Sequence, residues 1–215
     1  GYKNFFGLDQ ASMRMSFDFG VLQNLMAGVG RSTYKKELDA FIKYAPIRQS
    51  TGPWSSPVTL ALVSGITMDG LPWADPERQN FFTSRLGYYF QAIIGRKFSE
   101  GFSLQVAPTM VHRNLVQLET DPNNIYAIGV GGRLKLSKRI AFTWDYSHVL
   151  IGMPDSGYYN PLSVGFDIET GGHVFQLHFS NSTGMNERAF ITETTGQWGK
   201  GNVRFGFYLS RVFQI

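Results

Sequence analysis

Apolar and polar residues alternate with a period of two along most of the chain, the pattern of strands with two unlike faces. Within 12–19, Met13, Met15, Phe17 and Phe19 share one face, and Ser12, Arg14, Ser16 and Asp18 share the other. The 57–69 segment sets Val58, Leu60, Leu62, Ile66 and Met68 against Thr59, Ala61, Val63, Gly65 and Thr67. In 84–96, Leu86, Tyr88, Phe90, Ala92 and Ile94 oppose Arg85, Gly87, Tyr89, Gln91, Ile93 and Gly95. The same alternation returns at 140–150 and at 162–169, where Phe142, Trp144, Tyr146, Val164 and Phe166 lie on apolar faces. Eleven strands are predicted, over 10–20, 24–33, 37–48, 57–69, 81–97, 101–112, 124–136, 139–150, 161–169, 172–180 and 202–213. From the fourth strand onward the connections alternate between long (70–80, 113–123, 151–160, 181–201) and short (98–100, 137–138, 170–171). Long loops therefore gather at one end and short turns at the other, the asymmetry of an outer-membrane barrel.

The apolar faces decide which kind of barrel this is. A soluble barrel points them inward, and about eight strands enclose a space that side chains and one small ligand fill. Eleven or more would leave too wide an apolar void, so the apolar wall must face lipid and the polar wall must line the lumen. The predicted fold is all-β: a transmembrane antiparallel up-and-down β-barrel of about 12 strands. Eleven of these lie in this chain, which forms one domain over 1–215. Because single-chain bacterial barrels carry even strand numbers, this reading puts a twelfth strand ahead of residue 1 and residues 1–9 in the first external loop. Tyr44, Trp73, Phe81, Phe82, Tyr126, Trp144, Tyr158, Tyr159, Trp198 and Phe213 fall near strand ends, where aromatic girdles belong.

Composition agrees and removes several alternatives. Aromatic residues make up 15% of the 215, whereas charged residues are 17%, against about 25% in soluble domains. There is no cysteine, which excludes disulfides, thiolate metal sites and cysteine nucleophiles. No apolar run is long enough for a membrane helix. The net charge of +4 is spread among acids rather than gathered in a stripe, so no nucleic-acid partner is expected.

Candidate chemistry is sparse. His178-Phe179-Ser180-Asn181 is similar to the His-x-Ser-Asn of outer-membrane phospholipase A, in which a histidine base activates a serine nucleophile. The alternation argues against it here, because Phe175, Leu177 and Phe179 occupy the lipid face and turn His178 and Ser180 inward. His112, His148 and His173 share no face at ligand spacing, so no metal site is predicted, and no cofactor. Gly129, Gly131 and Gly132 sit inside a strand and accommodate curvature rather than a phosphate. Arg14, Asp18, Lys43, Arg85, Arg133, Asp145, Asp167, Glu169 and Arg204 are all predicted to point inward. Charges of both signs facing across a lumen are expected to pair into a network that narrows it. The longest connection, 181–201, is read as a solvated external loop with a turn of helix near Asn186–Phe190. Folding inward as a constriction, or reaching out to a partner, are its alternatives.

The last predicted strand, Asn202 to Phe213, resembles the C-terminal insertion signal of bacterial outer-membrane proteins. Phe5-Phe6-Gly7-Leu8-Asp9, Val111 to Val116, Ser156 to Asn160, Gly165 to Leu177 and Phe190 to Gly196 resemble a family of bacterial outer-membrane β-barrel proteins of unknown function. That resemblance implies the fold and a bacterial outer-membrane location, and it carries no catalytic residue. The expected protein is a non-enzymatic barrel, a structural or accessory component of an envelope assembly with a charge-plugged lumen. A small-solute porin-like channel is the alternative, and a phospholipase the remote one. Outer-membrane lipid is its expected partner, and other envelope proteins would be met through the external loops.

Overall fold

The computed structural model describes residues 11–53, 55–73, 75–116, 118–154, 157–170 and 172–213. Eleven strands are found among them: β1 (Arg14–Leu22), β2 (Leu25–Ser32), β3 (Leu38–Ile47), β4 (Thr59–Met68), β5 (Leu86–Lys97), β6 (Phe102–Arg113), β7 (Asn124–Lys135), β8 (Ile140–Ile151), β9 (Leu162–Glu169), β10 (His173–Ser180) and β11 (Arg204–Arg211). Every strand pairs antiparallel with its neighbours in sequence, so a single sheet runs in chain order from β1 to β11. This is the predicted up-and-down topology. The expectation for residues 1–9 lies outside the described residues.

Two predicted boundaries shift by more than two residues. The fifth strand starts at Leu86 rather than 81, because Phe82–Arg85 forms a 3-10 turn. The first starts at Arg14, where pairing with Ser32 begins. The connections 33–37, 69–85, 114–123, 152–161 and 181–203 share the long-loop end; 23–24, 98–101, 136–139 and 170–172 share the short-turn end, joined there by the longer 48–58.

The wall is inverted relative to a soluble protein. Phe17, Phe90, Val106, Phe166, Phe179 and Phe207 all stand exposed on its outside. Their burial must come from lipid, since apolar surface on this scale is not left in water. Inside, the wall is built mainly from small and polar residues, with an apolar cluster of Val63, Tyr89, Val111 and Ile125 among them. Four inward or outward glycines each lie opposite an aromatic ring on the paired strand: Gly28 opposite Phe41, Gly65 opposite Tyr89, Gly132 opposite Trp144 and Gly206 opposite His178. In each pair the ring lies over its glycine so closely that a Cβ there would overlap ring atoms. The missing side chain leaves a notch that the ring fills.

Candidate functional site

The connection between β10 and β11 turns into the barrel. Its helix α1 (Glu187–Thr192) starts at Asn186, whose side-chain oxygen accepts the Ala189 N–H at 2.9 Å. Beyond the cap, Ile191 and Phe190 pack with Val63, Tyr89, Val111, Ile125 and Ala127, which point inward near the long-loop ends of β4 to β7. Such apolar positions on a lumen wall would face water in an open barrel; the segment covers them, and Ala189 is left 0% exposed. The opposite flank is tied down by polar contacts. Asn181 donates to the carbonyls of Asn160 (3.0 Å) and Gly196 (2.9 Å) and accepts the Leu162 N–H (2.8 Å). Trp198 Nε1 donates to the Leu162 carbonyl at 3.0 Å, and the Tyr159 N–H donates to the Thr194 carbonyl at 2.9 Å. The segment thus crosses the mouth from the β8–β10 side to the β4–β7 side. The reading of 181–201 as a solvated external loop is corrected: apolar inward positions on four strands give this segment a surface to bury.

One buried cation holds the crossing. Arg188, 7% exposed, donates to Glu37 Oε1 through Nη2 at 2.6 Å and to Glu193 Oε1 through Nη1 at 2.7 Å. Glu37 is 0% exposed and accepts a further bond from Asn186 Nδ2 at 3.0 Å; Lys35 Nζ reaches Glu193 at 2.9 Å. Gly87 leaves space for the arginine stem, because a Cβ there would approach Arg188 Cδ to 2.6 Å. Lys35 and Lys36 adopt left-handed φ values of 52° and 48°, a conformation unfavourable for side chains with a Cβ and held here by the contacts around it. Burial works to raise the Glu193 carboxyl, but Arg188 and Lys35 outweigh it and hold it below the usual carboxylate value. Burial, reinforced by Glu193, pushes the Tyr34 phenol up.

The predicted lumen charges divide into four groups. Arg14 forms a two-point pair with Asp39, at 3.0 and 2.5 Å, and Arg133 bridges Asp167 (3.2 Å) and Glu169 (2.8 Å). Gln176 adds a bond to Asp167 at 2.7 Å. Arg204 donates to the Asn181 carbonyl at 3.1 Å instead of to an acid. Asp18, Lys43 and Asp145 have no opposite charge at ion-pair distance among the described residues. Arg85 is corrected: it ends the 3-10 turn before β5, donates to the carbonyls of Asp69 (2.9 Å) and Leu71 (2.5 Å), and stacks on Trp73 at 4.0 Å. It belongs to the 69–85 loop because the strand pairing begins one residue later.

His178 and Ser180 face inward, as their register with Gly206 and Arg204 requires. Ser180 Oγ accepts the Ser182 N–H at 3.1 Å, while all of the Asn181 amide bonds go to backbone. The residues directly opposite His178 on the two neighbouring strands are Gly206 and Gly165, so no asparagine stands there to orient the imidazole. Sequence reasoning missed Glu37, Asp39, Arg188 and Glu193. Asp39 was discoverable, since it shares the parity of Phe41 and Lys43 on β3; nothing local marks Arg188 as a residue that would be buried.

A family described as "Membrane bound beta barrel domain (DUF5777)" matches residues 1–213. Among solved structures, the chain is similar to one titled "NanC porin structure in rhombohedral crystal form", at 8% identity and a TM-score of 0.62, over 94% of this chain and 93% of that one. At that identity the likeness is one of fold. No curated protein matches the chain.

Proposed function

The chain belongs to the family of membrane-bound β-barrel domains, and from that premise we propose that it is a non-enzymatic outer-membrane protein whose lumen its own 181–203 segment closes. Its role is then that of a structural or accessory component of a bacterial envelope assembly. The observation that carries this reading is the Arg188 cluster, a buried cation of the segment bonded to Glu37 on the β2–β3 connection and to Glu193 of the segment itself. A segment meant to leave the pore open would not place its one helix against the lumen wall of four strands. The absence of a poised nucleophile in the His178–Asn181 motif supports a role without chemistry. A small-solute channel is the second reading, favoured by Asp18, Lys43 and Asp145, which face the lumen with no opposite charge at ion-pair distance among the described residues.

Planar-bilayer recording separates the two. The intact barrel should show no regular conductance steps, and a variant with 184–199 replaced by a short Gly-Ser link should conduct. Equal conductance in both would overturn the closed-barrel reading and leave the channel. Purified protein should release no fatty acid from phospholipid vesicles, with or without calcium; activity abolished by Ser180→Ala would overturn the non-enzymatic reading.

A further inference from the structure

The two ends of the barrel differ in charge. At the short-turn end stand Arg48, Arg96, Lys97, Lys135, Lys138, Arg139 and Arg211, all exposed and none in an ion pair among the described residues. The acids at that end are Glu100, Asp167 and Glu169, and the latter two are already held by Arg133. At the long-loop end, acids and bases are mixed: Glu37, Asp39, Asp69, Asp75, Glu77, Glu119, Asp121, Glu187 and Glu193 lie among the cations there. The short-turn rim is therefore a belt of unneutralised positive charge.

Two of these cations are on the bilayer wall itself. Arg96 pairs across β5–β6 with Leu104, on the outward parity of Phe90 and Ile94, and Arg211 is outward on β11 beside Leu209 and Phe207. Each guanidinium lies on a ring that closes the same strand end: Arg96 over Phe98 at 5.0 Å, and Arg211 over Phe213 at 4.9 Å. Phe98 packs in turn on Phe102, with ring centroids 5.7 Å apart. An exposed aromatic at a strand terminus sits at the headgroup level of a membrane. The stacked arginine is held at the same depth, where lipid phosphates are its natural counterions.

We propose that the short-turn rim of this barrel selects anionic phospholipid headgroups in the leaflet it faces, with Arg96 and Arg211 as the wall-side contacts and Lys138 and Arg139 reinforcing the field from the turn. A soluble acidic partner would be met by the turn tips alone. It would give no reason for two arginines to point away from the lumen and lie on rings in the plane of the bilayer surface. The attraction of each basic side chain near an anionic surface, about 1 kcal/mol, corresponds to about a fivefold preference.

The test measures the fraction of motionally restricted lipid around the refolded full chain in phosphatidylcholine vesicles. It uses spin-labelled phosphatidylglycerol and spin-labelled phosphatidylcholine as the two probes. Phosphatidylglycerol should be enriched about fivefold at low salt, and the enrichment should shrink at high salt, where charges at a water-exposed surface are screened. The double variant Arg96→Gln and Arg211→Gln should lose most of it. Because both residues are exposed, circular dichroism of that variant should match the parent, confirming that the barrel is intact. Equal restriction of the two probes by the parent chain would overturn the proposal. So would an enrichment that survives unchanged in the wall variant, which would remove Arg96 and Arg211 as the wall-side contacts.

Discussion

Arg188 and its carboxylates show what a single buried charge does in a closed mouth. Breaking a buried pair leaves the surviving charge unsolvated and costs about 3–5 kcal/mol, far more than loss of a surface ion pair. Arg188→Ala strands Glu37 in this way, so the 181–203 segment should leave its seat. The measurement is limited proteolysis from the long-loop side: cleavage within 184–199 should rise at least tenfold, with the strands untouched. Pairing the change with Glu37→Gln should recover much of the protection, because the stranded charge is gone. The latch also has a pH sign. Glu193 is held below the ordinary carboxylate value, so its contribution is complete at neutral pH. That contribution declines as the pH falls through the usual carboxylate range, about 4, and is lost below the depressed folded value. Proteolysis with an acid-active protease should therefore open the segment at low pH, and Glu193→Gln should already be loosened at pH 7. Equal cleavage of the parent at both pH values would contradict this role for Glu193.

At the scale of elements, the strands were legible and the mouth was not. A strand in a barrel announces itself because lipid and lumen impose opposite demands on successive residues, and β5 to β8 carry that alternation along most of their length. Arg85 failed because it continues the parity of β5 while the backbone before Leu86 has already curled into a 3-10 turn. The 181–203 segment failed for a different reason. Its partners, Val63, Tyr89, Val111 and Ile125, looked like ordinary members of a polar wall, and only their convergence in space makes a receptor for α1. Conversely, the glycines opposite rings carry an element-level prediction. Gly65→Ala drives a methyl group into the Tyr89 ring and should destabilise the barrel by about 1–3 kcal/mol. Gly20→Ala, with nothing within 4 Å of the new carbon, should be close to neutral. Urea unfolding of the two variants in detergent micelles makes the comparison, and equal midpoints would contradict the packing role.

For the whole molecule, the lumen charges set what an opened barrel would pass. Arg14 is neutralised by Asp39, and Arg133 by Asp167 and Glu169, while Asp18, Lys43, Asp145 and Arg204 remain of both signs. With 184–199 replaced, the pore should therefore be only weakly ion-selective, and Asp145→Asn should shift its reversal potential in a salt gradient toward anions. Strong cation selectivity insensitive to Asp145 would contradict the assignment of that residue to the lumen. The sheet has a further global property: β1 and β11, its two edges, run in the same direction, so one strand antiparallel to either is antiparallel to both.

The glycines that receive a ring also act as a check on alignment while the hairpins are zipping. A slip of one residue moves the ring to the wrong side of the wall. A slip of two sets Tyr89 against Val63 or Thr67, Trp144 against Val130 or Leu134, and His178 against Arg204 or Tyr208, none of which leaves a recess for it. Such markers lie on the β4–β5, β7–β8 and β10–β11 seams, whereas on β2–β3 a slip of two in one sense sets Phe41 against Gly30 and goes unmarked. A slip on one of these marked seams therefore meets an ill-fitting ring as that pair of strands forms, before the next strand is laid against it.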